Sequence, residues 1–250
     1  MATKQKIVIV GATSAIAEHC ARLWVKNRSI DLTLVGRDAA RVEPLAADLR
    51  VRSPQSDIRV MQAEFFDPVA IQLLANTIVD AGAVDIVLIA HGALPEQGAC
   101  QSDLSVCKRA LEINAISPVL YAESFAARMV KKGCGTLVLM GSVAGDRGRK
   151  SNYVYGAAKG LVARYAQGLQ HRFAGTGVNV VLIKPGPTDT PMTAHLKKQG
   201  AALASVDRVA ESIVAGVAHG KSVVYAPSKW RWIMAIIQHL PSVIFNKLNI

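Results

Sequence analysis

The sequence predicts an α/β domain built on one doubly wound parallel sheet with helices on both faces. Three observations carry this. Short β-branched runs alternate with longer helical stretches from the first residues onward, and such alternation implies right-handed crossovers between parallel strands. The strand candidates are near-continuous apolar runs, as expected of strands buried on both faces. Finally, 250 residues with 51% hydrophobic and 19% charged content suffice for one core that buries roughly three quarters of the unfolded surface, and they exclude a disordered chain.

The strands fall at 6–10, 31–36, 58–63, 85–90, 135–140, 178–183 and 222–225, seven in all. Helical patterns occupy 15–27, 38–50, 68–80, 104–131, 153–173 and 206–218. Asp67 followed by Pro68 is an N-cap with proline at the first helical position, so that boundary is sharp. No linker, repeat or low-complexity block interrupts the series. After Pro227 the character changes. Lys229-Trp230-Arg231-Trp232-Ile233-Met234-Ala235-Ile236-Ile237 is apolar around most of a helix, Pro241 stops it, and Val243-Ile244-Phe245, Leu248 and Ile250 form a second apolar patch near Lys247. Two readings fit this tail. It is a core helix, or it is an interfacial element, because Trp and Lys/Arg flanking a short apolar stretch suit a lipid headgroup boundary.

Cys20, Cys100, Cys107 and Cys134 show no metal or redox spacing, and no His-Glu-x-x-His occurs. Buried structural thiols and no metal are expected. Apolar runs fall short of a membrane span, and the N-terminal one is too short for a secretory signal, so a cytoplasmic chain is expected. The net charge of +11 favours anionic partners. Seven Lys/Arg against Asp207 and Glu211 fall in the last quarter. No dense basic helix face or nucleic-acid motif appears, so nucleic acid is not expected.

Chemistry enters at strand ends. Gly11-Ala12-Thr13-Ser14-Ala15-Ile16-Ala17 leaves the first strand and opens a helix, presenting backbone N–H groups to an anion. Only Gly11 remains of the usual three glycines, so a positive φ at Ala15 would add strain of about 1 kcal/mol. The second strand ends at Gly36-Arg37; the acid that selects a free ribose 2′-hydroxyl is missing and a cation stands in its place, which favours NADPH over NADH. In Tyr155-Gly156-Ala157-Ala158-Lys159 the phenol and ammonium share a helix face, and the ammonium is expected to depress the phenol's pKa. Ser142 ends a strand thirteen residues earlier.

Residues 4–226 resemble the short-chain dehydrogenase/reductase family, whose domain is a Rossmann fold. The resemblance rests on the Gly11 turn, Asn114 within Leu111-Glu112-Ile113-Asn114-Ala115, Ser142, Tyr155, Lys159 and Lys184-Pro185-Gly186-Pro187-Thr188-Asp189-Thr190-Pro191-Met192. It implies that 1–226 is an NAD(P)-binding reductase domain with 227–250 as an extension of it. Tyr155 would protonate a carbonyl oxygen as the nicotinamide delivers hydride, and Ser142 would bond that oxygen. Lys159 would hold the ribose, and Asn114 would maintain a water-linked relay. Cofactor contacts are implied at Gly11, Thr13, Ser14, Ile16, Arg37, Glu64, Phe65, Ala90, Gly92, Tyr155, Lys159, Pro185, Gly186, Thr188, Thr190 and Met192. Glu64 stands where the family has an adenine-contacting Asp, and Ile89-Ala90-His91-Gly92 lacks the family's two asparagines.

A narrower likeness covers 134–250. The segments 144–150, 153–156, 192–197 and 239–250 are similar to the reductase subunits of decaprenylphosphoryl-ribose 2′-epimerases. That similarity implies reduction of the 2-keto group of a polyprenylphosphoryl pentofuranose, giving an arabino sugar for cell-envelope glycan. It also implies a flavoprotein oxidase partner and a membrane surface on the cytoplasmic face. Arg147, Arg149, Lys150, His195 and Lys197 either hold the substrate phosphate or form a solvated basic loop. The alternatives are a reductase of a soluble small ketone or acyl-carrier substrate, and a non-catalytic NAD(P)-binding regulator. A homo-oligomer is expected by analogy.

Overall fold

The computed structural model describes residues 4–248; Ile250, counted above in the second apolar patch, lies outside the described residues. Seven strands form one sheet: β1 (Gln5–Val10), β2 (Ile30–Gly36), β3 (Asp57–Gln62), β4 (Ile86–Ile89), β5 (Cys134–Met140), β6 (Gly177–Pro185) and β7 (Val223–Ala226). Their order is β3-β2-β1-β4-β5-β6-β7 and every neighbouring pair is parallel. The helices in chain order are α1 (Ala15–Asn27), α2 (Ala39–Arg52), α3 (Pro68–Asp80), α4 (Gln97–Ser102), α5 (Leu104–Leu111), α6 (Ser117–Lys132), α7 (Tyr153–Arg172), α8 (Ala194–Lys198), α9 (Val206–Ala218), α10 (Trp230–His239) and α11 (Ser242–Phe245).

The sheet separates two cores. Ile7 and Ile9 of β1 face one side, with Trp24, Leu45 and Ile213 from α1, α2 and α9. Val8 and Val10 face the other, with Ile71, Phe125 and Val162 from α3, α6 and α7. Successive side chains of a strand alternate faces, and here both faces are dry. That is why β1 is unbroken apolar sequence from Ile7 to Val10. The chain runs outward from β1 to β3, then returns to β4 on the other side of β1. Loops diverge where the order reverses, and a crevice opens above the carboxyl ends.

The pattern over 104–131 predicts one helix, whereas the chain forms α5 and α6 joined by a π turn at Glu112–Ile116. Pro118 lies in the first turn of α6 and has no N–H for the ladder. Asn114 anchors the widened turn: its Nδ2 donates to the Ala110 carbonyl at 2.9 Å. The four thiols divide as well. Cys20 and Cys100 are buried, but Cys107 is partly exposed and Cys134, beginning β5, is exposed.

The tail folds back along one edge. Met234 is fully buried. Arg147 Nη1 donates to the carbonyls of Ile237 and Leu240, each at 2.6 Å, and the guanidinium lies 3.8 Å above the Phe245 ring. A cation at a helix C-terminus meets the negative end of its dipole. Asp146 is the neighbouring anchor; its carboxylate accepts from Lys184 Nζ at 2.5 Å and from the Tyr225 hydroxyl at 3.0 Å. A Cβ at Gly186 would fall 1.9 Å from Trp230 Nε1, so the indole rests directly on that loop. The opposite face of the tail is open: Trp232 is 71%, Ile236 66% and Val243 74% exposed. The tail is therefore packed on one side and apolar toward solvent on the other. Among the described residues no helix is long and apolar enough to cross a membrane.

Candidate active site

Two cavities above the strand ends share Ser14, Ile16, Ala90, His91, Gly92, Thr190 and Met192 among their lining residues, so they form one continuous cleft. Its first half is lined by Gly11, Thr13, Arg37 and Phe65. Gly11 has φ +85, and a Cβ there would lie 2.5 Å from the His91 nitrogen. Only glycine fits this approach. Among the described residues no other residue type adopts a positive φ, so Ala15 carries no strain and the turn closes on one glycine. Ser14 caps α1 without a side-chain bond, which leaves the N–H groups at the helix start available to an anion. This half fits a pyrophosphate, with Arg37 at the end of β2.

Glu64 does not line either cavity. Its carboxylate folds back to accept from the N–H groups of Phe65 and Phe66 at 2.8 and 3.2 Å, forming a local turn rather than reaching outward. Sequence reasoning missed Arg109, which also lines this half and stacks 3.7 Å over Phe66. Its signal, the second of two adjacent basic residues (Lys108-Arg109) in the last turn of an amphipathic helix, is ordinary. In the sequence, His91 registers only as part of the segment that lacks the family's two asparagines. Its buried ring sits 2.9 Å from the Ser117 hydroxyl and packs edge-on against Phe65 and Tyr121. Burial first, and then the charges of Lys159 and Arg37, push its pKa down to about 3, so it is a neutral spacer between β1 and β4.

The second half of the cleft holds Asn114, Ser142, Tyr155 and Lys159 together, with Pro185, Gly186 and Thr188. Ser142 lies two residues beyond β5, at the start of a short 3-10 turn, and its hydroxyl accepts from the Ala144 N–H at 3.1 Å. Tyr155 and Lys159 are one turn apart on α7. Lys159 is buried and donates to the Met140 carbonyl at 2.9 Å. Burial pushes its pKa down to about 8. The Asn114 side-chain oxygen Oδ1 accepts from the Ala93 N–H at 3.0 Å. Gly92 makes room for both groups; a Cβ there would fall 2.8 Å from Asn114 Oδ1 and 3.5 Å from Lys159 Nζ.

The tyrosine departs from expectation. Burial raises the Tyr155 pKa above its ordinary value, and the Ser142 hydrogen bond only partly opposes this. The Lys159 ammonium lies 5.8 Å from the phenol ring centre. The phenol is thus held protonated, the form a proton donor needs.

The five candidate phosphate cations separate. Arg149 lines the cleft beside Ser142 and Tyr155. Arg147 is committed to the tail carbonyls, Lys197 pairs with Asp189 at 2.6 Å, and Lys150 and His195 are exposed outside the cleft. Of the five, only Arg149 is placed to meet a substrate at Tyr155. Asn152, which sequence reasoning did not single out, lies beside it in the same wall.

A family model described as short chain dehydrogenase matches residues 5–201. An uncharacterized oxidoreductase of Streptomyces coelicolor is 28% identical over 98% of this chain and 96% of the relative. One from Mycobacterium tuberculosis is 29% identical over 97% and 96%. Among solved structures, a short-chain dehydrogenase from Sphingobium yanoikuyae in complex with NADPH superposes with a TM-score of 0.82 at 23% identity, over 98% of this chain and 96% of that one. A bulky-bulky ketone specific alcohol dehydrogenase from Comamonas testosteroni gives 0.80 at 22% identity, covering 96% of each chain.

Proposed function

The chain belongs to the short chain dehydrogenase family and is an NAD(P)-dependent oxidoreductase, and from that premise we propose that it uses NADPH to reduce the 2-keto group of a polyprenylphosphoryl pentofuranose at a membrane surface. The product is the arabino sugar for cell-envelope glycan, and a flavoprotein oxidase supplies the ketone. When bound, the nicotinamide supplies the hydride. The protein's own groups do the rest. Ser142 and the protonated Tyr155 donate to the ketone oxygen, and Tyr155 passes its proton to the forming alkoxide. Lys159 orients the ribose, and Asn114, bonded to Ala93 and Ala110, holds the wall opposite. Arg37 favours a ribose 2′-phosphate, and the NADPH held by the Sphingobium relative supports the same choice.

The observation that carries the lipid substrate is the tail. Its open apolar face (Trp232, Ile236, Val243, Ile244) is flanked by Lys229, Arg231 and Lys247, and no acidic residue follows Glu211 in the sequence. An apolar stripe beside cations suits an anionic bilayer. Trp230 joins this element to Gly186 in the cleft wall, so a tail lying on lipid sets the cleft near the headgroups.

The test is sedimentation with phosphatidylglycerol and phosphatidylcholine vesicles, paired with turnover of a short-chain phosphopolyprenyl 2-ketopentose. The expected result is binding to the anionic vesicles alone, lost in Trp232→Asp/Ile236→Asp, together with turnover that vesicles enhance. A wild-type protein that ignores both vesicles and reduces small soluble ketones equally well would establish the soluble-ketone alternative.

A further inference from the structure

Between Ser142 and Tyr155 the polar side chains are mostly satisfied. Asp146 takes Lys184 and Tyr225, and Arg147 holds the tail. Arg149 is different. Its Nε is buried without a hydrogen-bond partner, and the guanidinium's contact with protein is a long 3.5 Å approach of Nη2 to the Val143 carbonyl. Among the described residues no carboxylate pairs with it. Asp146 is near enough to favour its charge, yet burial outweighs that and lowers its pKa.

Asn152 shows a second anomaly. It occupies the N-cap position of α7, where an asparagine oxygen ordinarily accepts from the first turn. Here it makes no capping bond, and its Oδ1 is buried without a partner. Leaving a buried polar atom unpaired costs roughly 1–3 kcal/mol, more for a charged group. Each such group calls for an explanation, and a partner from outside the chain is one; among the buried unpaired atoms, these two lie on adjoining positions of the cleft wall. Both residues line the cleft that contains Ser142 and Tyr155, with Leu94, Pro187 and Leu196 as apolar neighbours.

We propose that Arg149 and Asn152 form a specificity subsite for a ketone that carries a phosphate or carboxylate close to a hydroxyl. A guanidinium presents a planar set of donors that matches either anion. An amide oxygen accepts from the hydroxyl. The inference rests on the reading above in one respect, that a ketone oxygen sits between Ser142 and Tyr155. It does not require a lipid chain.

Steady-state reduction by NADPH of dihydroxyacetone phosphate, dihydroxyacetone, hydroxypyruvate and hydroxyacetone tests it on the full chain. The charged member of each pair is expected to have the higher kcat/KM, by about 30-fold or more, the ratio set by a charge-assisted hydrogen bond of ~2 kcal/mol. The larger of the two ratios identifies phosphate or carboxylate as the preferred anion. Arg149→Met collapses both ratios through KM rather than kcat, and Arg149→Lys recovers part of them. Asn152→Leu weakens the hydroxylated ketones relative to butanone. Calorimetric binding of glycerol 3-phosphate against glycerol gives a readout independent of turnover, and the phosphate preference is expected to vanish in Arg149→Met. Equal handling of charged and neutral ligands by the wild type in both measurements overturns the subsite. If vesicle binding fails while the charge preference persists, the lipid reading falls and the subsite stands. If no ketone turns over, calorimetry alone decides for or against the subsite.

Discussion

The Asp146→Asn substitution tests how the cleft is held together. It keeps the shape of the side chain and removes its charge. Asp146 and Lys184 are 2% and 9% exposed and meet at 2.5 Å. Without the carboxylate, the Lys184 ammonium is left buried with the Tyr225 hydroxyl at 3.4 Å. Breaking a buried pair from one side typically destabilises by about 3–5 kcal/mol. That is a large share of a total stability of roughly 5–15 kcal/mol. For a chain of this size it lowers Tm by about 6–20 °C. Urea unfolding and calorimetry read the loss directly. Asp146→Asn combined with Lys184→Met, which leaves no buried charge, should recover most of it. A single variant within about 1 kcal/mol of wild type, or a double variant no more stable than the single, would refute the reasoning.

Three further outcomes follow from the site. Because burial sets the Lys159 pKa at about 8, kcat/KM for ketone reduction should fall as pH rises through 8 and the ammonium is lost; a flat profile to pH 9.5 with chemistry rate-limiting would remove Lys159 from its role. Stability moves in the opposite sense, since the unfolded chain keeps that proton up to its ordinary 10.5, so this group's contribution to the unfolding free energy rises between pH 8 and 10.5. Arg37→Ser should weaken NADPH binding by about 10-fold or more, in keeping with the loss of a charged hydrogen bond. NADH binding should be little affected in a nucleotide-fluorescence titration; equal effects on both cofactors would place the guanidinium elsewhere.

The sheet was legible because buried parallel strands write their pattern locally. All seven strands lie within two residues of the predicted spans, and α1, α3 and α9 have the predicted bounds. The clustering of the candidate site was legible for the same reason: Tyr155 and Lys159 are one turn apart, Ser142 follows a strand end, and all three line one cleft. What escaped depends on distant partners. The π turn at Asn114 answers to Ala93, twenty-one residues away. The reversal of the tyrosine shift comes from burial, which a motif does not encode. Arg147 and Arg149 are two residues apart with similar local surroundings in the sequence. One is taken by the tail, ninety residues downstream, and the other is left facing the cleft.

Arg147 grips α10 by main-chain oxygens, those of Ile237, Gln238 and Leu240. Such a grip recognises where a helix stops and is indifferent to which amino acids compose it. The outward positions of α10 and α11 are therefore free to diverge among descendants of this chain without loosening the anchor. One scaffold can be readdressed to different surfaces by rewriting a handful of exterior residues. Engineers can exploit the same freedom by exchanging Trp232, Ile236 and Val243 as a cassette while leaving the chemistry behind them alone.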